Sequence, residues 1–496
     1  MKKEIFSHLA VLLSTILFFL FFWKEQMGLN VLLFTAFQLA CLFFLFPEKR
    51  ESRPALLLSV GTLLAAIMVV WHNSFISKLS FNFSFLALIG AFQARGIRFF
   101  FYMGLMGVLS FVEVPVKFMR QLTEGLSIRQ KARNFFYGLR IVLLPLVILI
   151  VFYQIYITAN DKFAVLAESF WARFNFISLS ELRIEKLIFF IFGFFVAAAS
   201  LWRSQWQLLS KLDGAHQEQL VRKKTKSLVS LQRIFPSPVA LKTEYRMSVF
   251  LLLSLNVLLL LVNLTDITYV WFSFEGHSPQ ALSSYVHEGT YLLIWAILLA
   301  MGILLFNFRK NLNFYPNAGQ LRKLAYLWIG QNALLSFSVL MRNYHYIDHY
   351  GLAYKRVGVL VFLSLVLFGL ATLYLKISQQ KTLYFLLHRN AWAVYLCFLL
   401  LSGVNWDVFI TRYNLEADTK GQIDTWFLTN DMADKNLFLL HQHKDLLLRH
   451  DNFKYAPFAE RLDKKTEKFR RRTEQLSWLS WNYSDYRNQR YLLQKD

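Results

Sequence analysis

Ionisable and amide side chains inside or at the ends of long apolar runs are the residues here whose types and spacing could do chemistry. Asp266 stands late in the apolar run Met247–Phe272, close to Asn263, and His287 and Glu288 open the next run. A polar stretch follows, Arg342-Asn343-Tyr344-His345-Tyr346-Ile347-Asp348-His349-Tyr350-Gly351, with Lys355 and Arg356 just beyond it. Asn405 and Asp407 close the last run. Such a set suits a shared polar pocket. Its candidate ligand-binding residues are Asp266, His287, Glu288, Arg342, Tyr346, Tyr350, Arg356, Asn405 and Asp407. An enzyme would use Asp407, Asp266 or Glu288 as general base and Arg342 or Arg356 as a phosphate clamp. A plainer reading pairs Arg356 with Asp266 between helices and makes the tyrosines an interfacial belt. A metal site would draw on His287, His345 and His349 with Glu288. His345 and His349 share a helix face at a spacing of four, but the Glu of a metallopeptidase motif is not between them. The expectation is no metal and no cofactor. The sequence offers no Walker loop, dinucleotide glycine signature or nucleophile elbow in a usable context, so no catalytic residue is assigned.

The elements that position these groups are hydrophobic runs of about twenty residues, the length at which a helix crosses a hydrocarbon layer of roughly 30 Å. They fall at Ile5–Phe22, Leu29–Phe46, Pro54–Val70, Leu139–Tyr156, Ile184–Leu201, Met247–Phe272, Tyr291–Phe306, Leu324–Leu340, Ala353–Leu375 and Ala391–Ile410. Between them, Leu79–Ala94 and Phe99–Val116 are shorter and split by Arg95-Gly96-Ile97-Arg98. One is expected to cross. The other, Phe99–Val116, is expected to be interfacial or re-entrant because Glu113-Val114-Pro115 interrupts it. The fold class is therefore all-α: a polytopic transmembrane bundle of about 11 spans, or 12 if both stretches cross, with a small helical extramembrane tail. The domain reading is an N-terminal membrane region 1–201, a basic loop 202–246, a C-terminal membrane region 247–410 and a tail 411–496.

Composition agrees. Hydrophobic residues make up 56% and charged residues 17%, well below the usual quarter of a soluble chain, and mean hydropathy is +0.38. The formal charge of +23 does not indicate nucleic acid, because residues 412–496 hold 16 Lys/Arg against 13 Asp/Glu and the excess lies in short loops between spans. Loop 202–246 alone carries nine Lys/Arg against three acids. Alternating basic loops place the N-terminus and this loop in the cytoplasm and the tail outside. The N-terminal run, lacking a small-x-small cleavage site, reads as a retained signal anchor. The bilayer is the expected partner, with anionic lipid at Arg222, Lys223, Lys224 and Lys226 as a further contact. Trp478, Trp481 and Tyr483 suit either a headgroup surface or a solvated helical cap, and the cap is favoured. Cys41 and Cys397 both fall within predicted spans, so no disulfide framework is available.

Three stretches carry a family resemblance: His287-Glu288-Gly289-Thr290-Tyr291; Arg342 to Tyr346 with Tyr350-Gly351-Leu352 to Arg356; and Asn405-Trp406-Asp407 with Arg412-Tyr413-Asn414-Leu415 and Asp424. Across roughly residues 245–430 the chain resembles an uncharacterised family of bacterial multi-pass membrane proteins known only as a domain of unknown function. It departs from that pattern at Met432-Ala433-Asp434, which has no proline, and at Ala353, where a hydroxyl residue is usual. The resemblance implies an integral inner-membrane protein and supplies no reaction. The functional expectation is a non-enzymatic ligand- or partner-binding membrane protein, transporter-like or sensory. The alternative is a membrane-embedded enzyme acting on a lipid-linked or envelope substrate.

Overall fold

In the computed structural model the described residues are 2–93, 96–124, 184–204, 208–222, 238–271, 279–308, 311–416, 423–451 and 456–494, with isolated positions at 149, 153, 156, 162–163, 165–166 and 453. Among these the chain is helical, and its one β feature is an isolated bridge between Gln219 and Lys381. In chain order the helices are α1 (Lys2–Phe22), α2 (Leu29–Leu45), α3 (Arg53–His72), α4 (Phe75–Gln93), α5 (Phe100–Glu124), α6 (Ile184–Leu201), α7 (Leu208–Ala215), α8 (Pro238–Asp266), α9 (Pro279–Asn307), α10 (Ala318–Tyr350), α11 (Tyr354–Ser378) and α12 (Leu383–Ser402). The tail adds α13 (Trp406–Glu416), α14 (Leu437–Gln442), α15 (Lys444–Arg449), α16 (Phe458–Glu474) and α17 (Tyr483–Leu493).

Seven described helices are long and apolar enough to cross a membrane: Ile5–Phe22, Arg53–His72, Phe75–Gln93, Leu241–Tyr269, Ala318–Tyr350, Tyr354–Ser378 and Leu383–Ser402. Shorter apolar helices cover Leu29–Leu45, Phe100–Val114 and Leu292–Asn307. The run expected at 139–156 lies outside the described residues except at three positions. Glu113-Val114-Pro115 does not break α5, which continues to Glu124. It packs closely along α4. A Cβ on Gly90 would strike the Met103 carbonyl, and one on Gly107 the Leu86 carbonyl. Small residues at a helix crossing permit this approach of backbones.

Packing divides the membrane part into two clusters. The first, built on α1 to α6, has Leu42, Leu58, Leu88, Phe92, Met103 and Leu201 at its centre. The second joins α8 to α11 around Leu252, Ile297, Leu304, Leu321, Leu335 and Leu373. α12 belongs to both. Its Tyr395 accepts from Ser84 at 3.2 Å and its Trp392 indole donates to the Arg98 carbonyl at 3.2 Å, while Asn390 donates to Thr372 of α11 at 2.9 Å.

The pair α8 and α10 shows how sequence spacing becomes packing. Tyr245, Leu252, Leu259 and Asp266 recur every seven residues and are all buried, as are Leu321, Trp328, Leu335 and Arg342. A seven-residue repeat is the seam of two helices in a left-handed crossing. The two helices run parallel. Tyr245 donates to Gln320 at 2.8 Å near one end, Gln331 donates to Asn256 at 2.8 Å midway, and Asp266 meets Arg342 at the other end. Amides inside such a seam fix its register, because any slip would leave them unbonded in hydrocarbon.

Candidate functional site

Helix α10 is 33 residues long, about 50 Å at 1.5 Å per residue, so it outruns the bilayer core. The polar stretch Arg342–Tyr350 is its last two turns. The helix stops only at Gly351, whose φ of +75° favours glycine. The sequence holds no earlier breaker in this segment, and that is the physical reason for the extension. A Cβ on Gly351 would also come 2.5 Å from Asn414 Oδ1. Asn414 accepts from the Leu352 N–H at 2.6 Å and donates to the Leu352 carbonyl at 2.8 Å, which pins the α10–α11 turn to α13.

The predicted site residues separate into three places rather than one pocket. The first is the buried ion pair Asp266–Arg342, Oδ1 to Nη2 2.5 Å. It joins α8 to α10, so Arg342, not Arg356, is the partner of Asp266. The second is a stack on Arg356, whose guanidinium lies 4.4 Å from the Tyr346 ring centre and 5.9 Å from that of Tyr350. Its Nη1 donates to the carbonyls of Tyr350, at 2.8 Å, and Gly351. The third is Asp407, which accepts from the Tyr354 hydroxyl and from the Ala433 N–H at 3.0 Å. Beside it Asn405 donates to Ser484 Oγ at 3.0 Å. The last apolar run, expected to reach residue 410, ends at Ser402, and α13 begins at Trp406 with Asn405 accepting from the Val408 N–H at 3.3 Å. Asn405 and Asp407 thus hold the tail. A short polar residue at a helix N-terminus is the signal that marks this break in the sequence.

His287 and Glu288 lie within α9, and their side chains are outside the described residues. The rings of His345 and His349 sit against Tyr344 at 5.9 Å and Tyr350 at 4.6 Å. Among the described residues no three His, Cys, Asp or Glu side chains converge as a metal site. Of the basic cluster, Arg222 is exposed and Lys223, Lys224 and Lys226 lie outside the described residues.

A recess of about 110 Å³ opens where the α10–α11 turn meets the tail, lined by Tyr350, Gly351, Arg356, Asn414, Asp424 and Phe427 among others. Arg356 and Asp424 bring opposite charge to it. Asp424 also accepts from the Phe427 N–H at 2.9 Å, which starts the π-helical turn Phe427–Asp431.

The tail packs onto the membrane half. Leu428, Leu437, Leu440, Phe458, Leu462 and Phe469 form a core that is continuous with Ile347, Leu352 and Val357 of the membrane half. Its charges are also paired within. Lys435 meets Asp485 at 2.6 Å, Arg472 meets Asp434 at 3.0 Å and Asp485 at 3.1 Å, and Arg461 meets Asp451 at 2.6 Å. Burial would raise the Asp485 carboxyl, but Lys435, Arg472 and the Asn482 hydrogen bond outweigh it and hold the group below the ordinary carboxylate range. Lys465, which sequence reasoning missed, donates to the carbonyls of Leu428 at 3.2 Å and Met432 at 3.1 Å and to Asn436 Oδ1 at 3.2 Å. Burial pushes its ammonium down to about 8, against the pull of Asp434 and Asp407. No sequence motif marks it, because the carbonyls it serves lie about thirty residues away.

A family described as "Domain of unknown function (DUF4153)" matches residues 55–441. The match extends well past the stretch 245–430 that carried the resemblance, into the N-terminal membrane half. No curated protein and no solved structure matches the chain.

Proposed function

The chain belongs to this family of unknown function, and we propose that it is a non-enzymatic, ligand-binding membrane protein of sensory or transporter-like kind. The site is the recess around Arg356. One observation carries the reading: a small polar cavity lies where the helices α10 and α11 meet the tail, with a guanidinium and a carboxylate on its walls. Its volume suits a ligand of few heavy atoms. Occupancy there would couple membrane helices to the tail, since Arg356 and Gly351 belong to one and Asp424 and Phe427 to the other. Two of the three carboxylates considered for catalysis have structural engagements: one oxygen of Asp266 faces Arg342, and Asp407 accepts two hydrogen bonds.

The proposed setting is a bacterial inner membrane with the tail outside. Supporting this, the tail-bearing end gathers the turns after α1, α3, α10 and α12. The opposite end carries Lys49, Arg98, Lys117, Arg203, Lys376 and Lys381, linked by contacts such as Arg203–Glu48 at 2.7 Å. Native mass spectrometry of the protein released from its own membranes tests the site. A small adduct should be present on the wild type and lost from both Arg356→Gln and Asp424→Asn. Identical spectra for all three proteins would refute the assignment.

A further inference from the structure

Helix α17 is inside out for a helix in water. Its buried side holds Ser484, Asp485 and Asn488 with Leu492. Its open side carries Tyr483, Tyr486 and Leu493, the last 77% exposed, with Gln489 and Arg490 among them. A water-facing amphipathic helix does the reverse. The cause is visible in the tail. Asp485 is taken by Lys435 and Arg472, and Asn488 donates to the Asp434 carbonyl at 2.8 Å and accepts from the Phe438 N–H at 3.2 Å. The polar face is thereby turned inward and the aromatic face outward.

That outward surface continues through Trp478, 66% exposed, and Trp481. It reaches Trp71 and Phe75, which flank the turn between α3 and α4 and are themselves exposed. The Tyr483 and Trp71 rings lie 5.0 Å apart, and Ser484 donates to the Trp71 carbonyl at 3.2 Å. On its other flank the segment is tied to the turn after α1. Ser480 donates to Glu25, the Gln26 N–H donates to Ser480 Oγ at 2.8 Å, and the Leu29 N–H donates to the Trp481 carbonyl at 3.0 Å. Gly28 lies so near that a Cβ would come 2.5 Å from the Ser480 carbonyl oxygen. These contacts set the depth of the segment. It is level with the ends of four apolar helices, where hydrocarbon gives way to headgroups, and there Trp and Tyr are favoured because one side of the ring is apolar and the other wet.

We propose that Trp478, Trp481, Tyr483, Tyr486 and Leu493 form a lipid-interface anchor that seats the tail on the headgroup layer. The occupant is lipid because, through Tyr483 against Trp71, the patch joins exposed apolar residues at the end of α3 and the start of α4, both long and apolar enough to cross a membrane. Arg490, exposed on the same helix face, is placed for lipid phosphate. The anchor stands independently of the recess around Arg356.

The test is site-directed spin labelling in phosphatidylcholine–phosphatidylglycerol vesicles, in a Cys41→Ala/Cys397→Ala background. Labels at Tyr486→Cys and Leu493→Cys should show an oxygen-to-nickel accessibility ratio several-fold above that of Lys468→Cys, which lies among the exposed charges of α16. Equal ratios at the three positions would overturn the proposal, including the case in which a soluble protein covers the patch. Should the cysteine-free background fail to fold, Trp478→Phe on the wild-type chain serves instead. The fluorescence it removes should be a component quenched by lipids brominated near the headgroup and shielded from iodide; loss of an iodide-quenched component would overturn the anchor.

Discussion

Lys465 makes the tail's stability rise with pH across the alkaline range. Its ammonium is held near 8 in the folded tail against 10.5 in the unfolded chain. An amine whose folded value lies below its unfolded one binds fewer protons when folded, so stability rises with pH between the two values. At pH 7 the charged lysine costs the fold about 3 kcal/mol, and at pH 10 under about 1 kcal/mol, a gain of about 2–3 kcal/mol across that window. In hydrogen exchange, corrected for intrinsic rates, this gain appears as a rise of about one to two orders of magnitude in the protection of α16 amides between pH 7 and pH 10. Lys465→Met removes the titrating group while keeping the length of the stem, so the rise should vanish in that variant. The acceptors left behind, the carbonyls of Leu428 and Met432 and the Asn436 amide oxygen, lower its protection by a pH-independent amount. A wild type whose protection is flat or falls over this range would refute the reasoning. So would a Lys465→Met variant that keeps the full rise.

Breaking the membrane ion pair with Asp266→Asn or Arg342→Gln should each lower stability by about 3–5 kcal/mol in steric-trapping measurements. The Asp266→Asn/Arg342→Gln double variant should recover part of that loss, since no lone buried charge remains. Gly28→Leu should lift the C-terminal segment away from the α1–α2 turn, read as faster proteolysis around residues 477–481 with the membrane helices intact. Asp485 has a linkage of the same sign as Lys465 in an acid window: its folded value is depressed below 3.8, so the stability it lends is present above that value and lost as pH falls through the lower folded one. Acid-induced exposure of the tail, followed by tryptophan fluorescence, should therefore show a step in the wild type that Asp485→Asn lacks. Tyr354→Phe should loosen the seat of Asp407 and speed exchange at Ala433, with little change in the spans.

The residues that the sequence singled out do not share one pocket, and their grouping was not legible. Arg342 and Asp407 are both buried and bonded, yet they serve different contacts: one joins two membrane helices, the other fastens the tail. Arg356 was matched to Asp266 on charge alone, whereas the heptad row that ends in Arg342 delivers that residue to Asp266 instead. The tail looked like a solvated cap because its helices carry many charges. Four of those charges, at Lys435, Asp485, Arg472 and Asp434, are paired with one another, and the inward turn of Asp485 leaves an aromatic face outward.

Read alone, the chain determined its solvent and its class. The length of an apolar run and the need to satisfy backbone hydrogen bonds within it are local properties, so they are written in consecutive residues. The seven-residue rows in α8 and α10 were there to be read for the same reason. Only tertiary structure decided which polar groups meet: Asp266 with Arg342, Asp407 with Ala433, and Ser480 with Glu25 from the far end of the chain. Those pairings depend on where remote helices dock, and docking is decided by the sum of many weak apolar contacts that no short stretch of sequence carries.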